Sequence, residues 1–278
     1  SASLPPLTPS RSPDAGMALS DEKTNGLLVA YDVMVAPGRS INLVADLLKE
    51  GLLVPAPLGG EVLFFEHEGR VLGRTLTGGD GRALVSFTPR ARGRVTVTVR
   101  VAESRRVTAQ ETTAGVFVWD WRRPIVIVSM KALVPAPRRP DLGFPLPRSG
   151  AKLQNPDGGA VQALAAVAKR VHVIYVIAGD RLELPEVRRW VNGHRLPSGP
   201  VFLLKPGPAG LSYEVDRRRQ EGWTNIRGGL VVAADEAKAL VEKGLKAVVP
   251  PTASSQEKWP EKAVTAKDWT EVARHLAS

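Results

Sequence analysis

The chain has 278 residues, 43% of them apolar, no cysteine, and 38 Lys+Arg against 28 Asp+Glu, for a formal charge of +10. The absence of cysteine excludes disulfides, thiolate zinc sites and a cysteine nucleophile. No apolar run approaches the ~18–20 residues that a membrane-spanning helix needs.

The opening "SASLPPLTPSRSPDAG" is polar and Pro/Ser-rich, and residues 1–25 carry no periodicity, so they read as a disordered lead-in. No signal-peptide pattern is present there. The composition suits the leader of a mature or trimmed chain, which leaves both export with a signal already removed and a cytoplasmic location open.

From 26 to 120 short strands alternate with turn signals. "GLLVAYDVMV", the turn "APGR" and "SINLVADLL" come first, followed by "EVLFFEHEG" and "RVLGRTLT". A hairpin turn at "GGDG" leads into "ALVSFTP", then "RVTVTVRVA" and "GVFVWDW". The near-strict alternation of "RVTVTVRVA" suits a strand with one buried and one wet face. Strands at roughly 8–12-residue spacing predict an antiparallel β-sandwich. "LTGGDGRALVSFTP" resembles the hairpin of bacterial immunoglobulin-like domains, in which T-x-x-D-G-x-A-x-x-x-F-T-P recurs. Such domains serve as spacers or adhesion modules.

Near residue 120 the composition shifts. Lys+Arg against Asp+Glu is 13 to 13 over residues 1–120, leaving 25 to 15 over 121–278, so the whole excess of ten lies in the second half. Solvated Arg-rich faces explain such a count; so does a surface for an anionic partner. Only "RRR" at 217–219 clusters, without interleaved aromatics, which makes nucleic acid a weaker partner than a protein, an anionic ligand or a lipid surface.

From 121 to 278 the period changes. Strands are predicted at 125–128, 172–177, 201–204, 230–233 and 247–249. Helices are predicted over "AVQALAAVAKR", "LPEVRRWVNG", "DEAKALVEKG" and a last segment that opens on Thr265 with Asp268 as its capping partner. Alternating strands and helices predict an α/β doubly wound domain with a mainly parallel sheet, its site at the carboxyl end of the first strand, "PIVIVSMKALV".

This second half resembles the haloacid dehalogenase-like phosphatases, and among them the lipin-like, phosphatidate-phosphatase-like branch. "RRPIVIVSMKALV" takes the place of the first motif and "VHVIYVIAGD" that of the second. "VRRWVNGHRLPSGPVFLLKPG" is similar to the run that follows, and "LVVAADEAKALVEKGLKAVVP" to the closing Gly-Asp segment. The resemblance implies an aspartate nucleophile, an aspartate acid/base and magnesium. This chain holds Ser129, Lys131 and Leu133 where the first motif has Asp, Asp and Thr. It holds Ile177 and Gly179 in place of the second motif's hydroxyl and arginine. The Gly-Asp segment keeps one candidate carboxylate, Asp235, and no counterpart of its second. Serine lacks the anionic oxygen of an aspartate, and an ammonium at 131 opposes a hard cation that wants carboxylates.

The resemblance therefore implies a pseudophosphatase: a structural or interaction protein with no catalytic residue, no metal and no cofactor. The four histidines, His67, His172, His194 and His275, stand at no metal-ligand spacing. Candidate anion-binding groups are Lys131, Arg138, Arg139, Arg181 and Lys205. The alternatives are a phosphohydrolase with a rebuilt site and an anionic-lipid surface protein.

Overall fold

The computed structural model describes residues 23–50, 54–135 and 154–278. Among these residues ten strands form the first half: β1 (Thr24–Ala30), β2 (Val33–Val35), β3 (Ile41–Lys49), β4 (Ala56–Pro57), β5 (Val62–His67), β6 (Arg70–Leu76), β7 (Arg82–Phe87), β8 (Gly93–Val101), β9 (Val107–Ala109) and β10 (Thr112–Val118). One sheet runs β4-β3-β1-β9 with β7 also on β3; the other runs β2-β10-β8-β5-β6. Leu28, Leu43, Leu47 and Val85 of the first interdigitate with Leu63, Phe65, Val97 and Val116 of the second. β1 starts at Thr24, two residues inside the expected lead-in; residues 1–22 lie outside the described residues.

Two local expectations change. "GLLVAYDVMV" is two strands, not one. β1 pairs with β3, then the chain crosses at Tyr31 and Asp32, and β2 pairs parallel to β10 in the opposite sheet. An aspartate is turn-prone because its side chain bonds nearby backbone, and here it accepts the Gly115 amide at 2.7 Å. The "GGDG" turn likewise joins opposite sheets, since β6 pairs with β5 and β7 with β3. Gly81 sits there at φ +75°, and a Cβ on it would meet the Leu47 carbonyl at 2.4 Å.

The second half is a six-stranded, all-parallel sheet: β11 (Ile125–Ser129), β12 (His172–Ile177), β13 (Val201–Leu203), β14 (Ile226–Leu230), β15 (Lys246–Val249) and β16 (Val264–Thr265). Their order is β13-β12-β11-β14-β15-β16. The order reverses between β11 and β14, and at such a point a crevice opens beyond the carboxyl ends. Helices α1 (Gly158–Val167), α2 (Leu184–Gly193), α3 (Gly210–Gln220), α4 (Ala234–Glu242) and α5 (Trp269–Ala277) cover both faces. Alternation along β11 drives this: Val126 and Val128 pack with Leu164, Val187 and Val272, and Ile125 and Ile127 with Leu211, Val215 and Leu240.

Here too there are differences. β14 lies four residues before the predicted strand, over two glycines that strand propensity disfavours. They are needed for close approach, since a Cβ on Gly229 would sit 2.6 Å from the Ile127 carbonyl. Helix α3 was not predicted, because Leu211 and Val215 are its only large apolar buried residues. Asp268, not Thr265, caps α5, accepting the Glu271 amide at 2.7 Å.

The two halves share core. Val29 and Leu48 join the cluster under α1, α2 and α5, while Met34, Phe117 and Trp119 join the other. Trp119 stacks on His172 at 4.1 Å and 4°. Burial, and then the charge of Arg123, push the His172 imidazole down to about 4.

Asp32 sits at the seam. Its Oδ1 also accepts from Arg188 Nη1 at 2.9 Å, and its Oδ2 from the backbone amide of Val201 at 2.9 Å. Val201 begins the edge strand β13, so a sandwich carboxylate caps the edge of the parallel sheet. Asp46, fully buried, accepts from Tyr31 at 2.6 Å, Arg82 at 2.9 Å and Arg181 at 2.8 Å.

Candidate functional site

β11 ends on Ser129, 3% exposed, and the chain then tightens into a 3-10 turn, Met130–Leu133. The Ser129 hydroxyl makes no cap; it donates to Glu236 Oε1 at 3.0 Å. Glu236 lies in the first turn of α4, and its Oε2 accepts weakly from the Val232 amide at 3.4 Å. Burial pushes the Glu236 carboxyl up. The Ser129 and Val232 hydrogen bonds and the charge of Lys131 oppose that shift, and neighbouring Asp235 adds to it.

The amino end of α4 is occupied by the chain's own acids. Glu257 accepts the Ala234 amide at 3.1 Å and Asp235 the Glu236 amide at 2.9 Å. Helix N-termini favour such carboxylates for their orphan donors and their dipole.

The sequence-predicted residues fare differently. Lys131 is exposed and close enough to act on Glu236, while Leu133 is fully buried. Ile177 is buried, and the space beside Gly179 belongs to Glu183, whose Oε2 would lie 2.6 Å from a Cβ there. Asp235 serves the helix start.

Arg181 is committed to Asp46 across the seam, and Lys205 stands 3.5 Å over the Tyr213 ring. Arg138 and Arg139 lie outside the described residues. The "RRR" run is used internally: Arg217 pairs with Glu221, buried Arg218 with Glu214 and Glu221, and Arg219 donates to the Lys243 carbonyl.

Sequence reasoning missed Glu236. The closing segment keeps Asp235 and lacks a second carboxylate at the spacing of the resembled enzymes, yet the helix start brings Glu236 onto Ser129. The adjacent acids of "DEAK" were the available signal.

A magnesium ion of the kind the resemblance implies does not fit these residues. One carboxylate faces the strand tip, it already accepts the serine hydrogen bond, and the charge of Lys131 also reaches it. Among the described residues no three His, Asp or Glu side chains converge as a metal-holding group.

Two cavities, ≈790 and ≈420 Å³, run along the seam, and neither is lined by Ser129 or Glu236. No described helix is long and apolar enough to cross a membrane.

No family model matches the chain, and no curated protein matches it. Among solved structures it is similar to a D,D-heptose 1,7-bisphosphate phosphatase from B. bronchiseptica, complexed with magnesium and phosphate. The identity is 13% over 55% of this chain and 97% of that one, with a TM-score of 0.39. It is also similar to fibronectin(III)-like modules of Clostridium thermocellum CbhA, at 15% identity over 34% of this chain and 94% of that one, TM-score 0.23. The adhesin InvE of Yersinia pseudotuberculosis matches at 14% identity over 37% of this chain and 34% of that one, TM-score 0.27. Likenesses this distant carry no conclusion about chemistry.

Proposed function

We propose that this chain is a non-catalytic interaction protein, an immunoglobulin-like sandwich over 26–120 joined to a pseudophosphatase domain of haloacid dehalogenase-like type over 121–278. The observation that carries the reading is the Ser129–Glu236 hydrogen bond. At the strand tip, where the resembled enzymes place a nucleophile and metal carboxylates, this chain has a buried serine whose hydroxyl is already committed as a hydrogen-bond donor to the chain's own acid. General acid/base help is worth ~10²–10⁴, whereas phosphomonoester hydrolysis can demand accelerations near ~10²¹. One hydroxyl–carboxylate pair falls far short.

The same pair favours a second reading, a rebuilt phosphohydrolase in which Glu236 is the base for Ser129. Hydrolysis of p-nitrophenyl phosphate and of phosphatidate, with magnesium or with EDTA, separates the two. No turnover above buffer is expected from the wild type, Ser129→Ala or Glu236→Gln. Magnesium-dependent turnover abolished by both substitutions would establish the second reading instead.

A further inference from the structure

The ≈790 Å³ cleft between the sandwich and α2 falls within the ~300–1,000 Å³ of ligand pockets. Its sandwich wall is where the two sheets part. β1 pairs with β3 from Gly26 to Ala30, but with β9 only as far as Gly26. Tyr31 donates its amide to Val44 on the β3 side. Alternation along an antiparallel strand therefore turns the N–H and C=O of Leu28 and Ala30 the other way. Arg188 takes the Ala30 carbonyl at 2.7 Å; Leu28 has no partner there among the described residues.

β10 repeats the pattern. Gly115 directs its amide away from β8, to Asp32, so Thr113, two residues earlier, faces the same side. β2 pairs with β10 only over Val116, Phe117 and Val118, so it does not reach Thr113. Leu28 and Thr113 both line the cleft. Among the described residues each has an unused main-chain donor and acceptor, the pattern that an added strand satisfies.

The cleft is also electropositive. Arg94 and Arg189 line it, both exposed and neither in an ion pair among the described residues; Arg94 donates to the Ser198 hydroxyl at 3.4 Å and lies 5.6 Å over the Phe117 ring. Arg188 is neutralised by Asp32. Glu111, the one acid of the lining, is near enough to Arg100 to act on it.

We propose that the cleft docks an extended, carboxylate-bearing peptide segment of another protein. The segment's main chain pairs with Leu28 and Thr113, and its acidic side chains meet Arg94 and Arg189. The site adds a partner class to the proposed function and does not depend on whether the strand tip is catalytically silent.

The test uses the full chain and a fluorescent octapeptide of alternating valine and glutamate. Saturable anisotropy is expected, weakened by about tenfold or more in Arg94→Glu and Arg189→Glu, because charge reversal sets like charges against the peptide's carboxylates. Alternate N-methylation of the peptide backbone should abolish binding. Hydrogen exchange at the Leu28 and Thr113 amides should slow in the complex. Equal binding of a valine–lysine octapeptide, of the N-methylated peptide, or by the two variants would overturn the proposal. So would binding only to phosphatidylserine vesicles, which would assign the arginines to a lipid surface.

Discussion

Asp32 holds the backbone amide of Val201 at 2.9 Å across 169 residues, and through that bond a loop of the sandwich closes the edge of the parallel sheet. The same carboxylate neutralises buried Arg188 and satisfies the Gly115 amide. Removing one partner of a buried pair typically costs ~3–5 kcal/mol, because the other charge is stranded. Asp32→Ala should lower stability by about that much, read as a fall in urea midpoint; Asp32→Asn, which keeps acceptor oxygen, should cost less. Tryptophan fluorescence and far-UV circular dichroism should follow one coincident transition. Two separated transitions would show that the seam does not couple the halves.

Asp46 gives the seam an acid limit. Burial would raise its carboxyl, but hydrogen bonds from Arg82 and Tyr31 and the charges of Arg82 and Arg181 outweigh this and hold it below the ordinary range. A lowered native value means the stabilisation is complete above the unfolded value, ~3.9. It drains away as pH falls through the native value. Wild-type stability should drop more steeply than that of Asp46→Asn below about pH 4, measured by urea titration at stepped pH. Parallel curves would refute this.

His172 titrates in the opposite sense from a paired histidine. With its native value about 4, the unfolded chain takes the proton first. Stability should therefore decline as pH falls from ~6.5 and level off below the native value. NMR titration of the imidazole carbons should place the midpoint well under 5, and His172→Phe, which keeps a ring on Trp119, should remove that part of the pH dependence.

Ser129→Ala takes from Glu236 its shorter hydrogen bond. At pH 7 the loss should be about 1–3 kcal/mol, the cost of an under-satisfied buried acceptor. The Glu236 carboxyl is raised, so its penalty applies when it is charged, above the native value, and fades as pH falls toward the unfolded one. The cost of Ser129→Ala should shrink in acid, and Glu236→Gln in the same chain should recover part of it at pH 7. A cost independent of pH would mean that Ser129 acts through packing alone.

Much of the scaffold is legible in the sequence. Alternation in "RVTVTVRVA" and the apolar run "IVIVS" encode a half-wet and a doubly buried strand, and they sit in those environments. What escaped was set by partners remote in sequence. Gly228 and Gly229 speak against a strand until β11 and β15 press on them. Leu211 and Val215 give α3 little apolar stripe, and its buried Glu214–Arg218 pair resembles surface charge in one dimension. Nothing near Arg181 announces Asp46. Glu236 was overlooked because a motif fixes spacing along the chain, whereas a helix start fixes position in space.

Deletion of residues 1–120 would do more than shorten the protein. The β13 amide now held by Asp32 would face water as the first rung of an open ladder, with Phe202 and the His172 ring stripped of the cover that Met34, Phe117 and Trp119 supply. Such a fragment is a template for its own copies. The sandwich is therefore a built-in guard against self-assembly through the β13 edge.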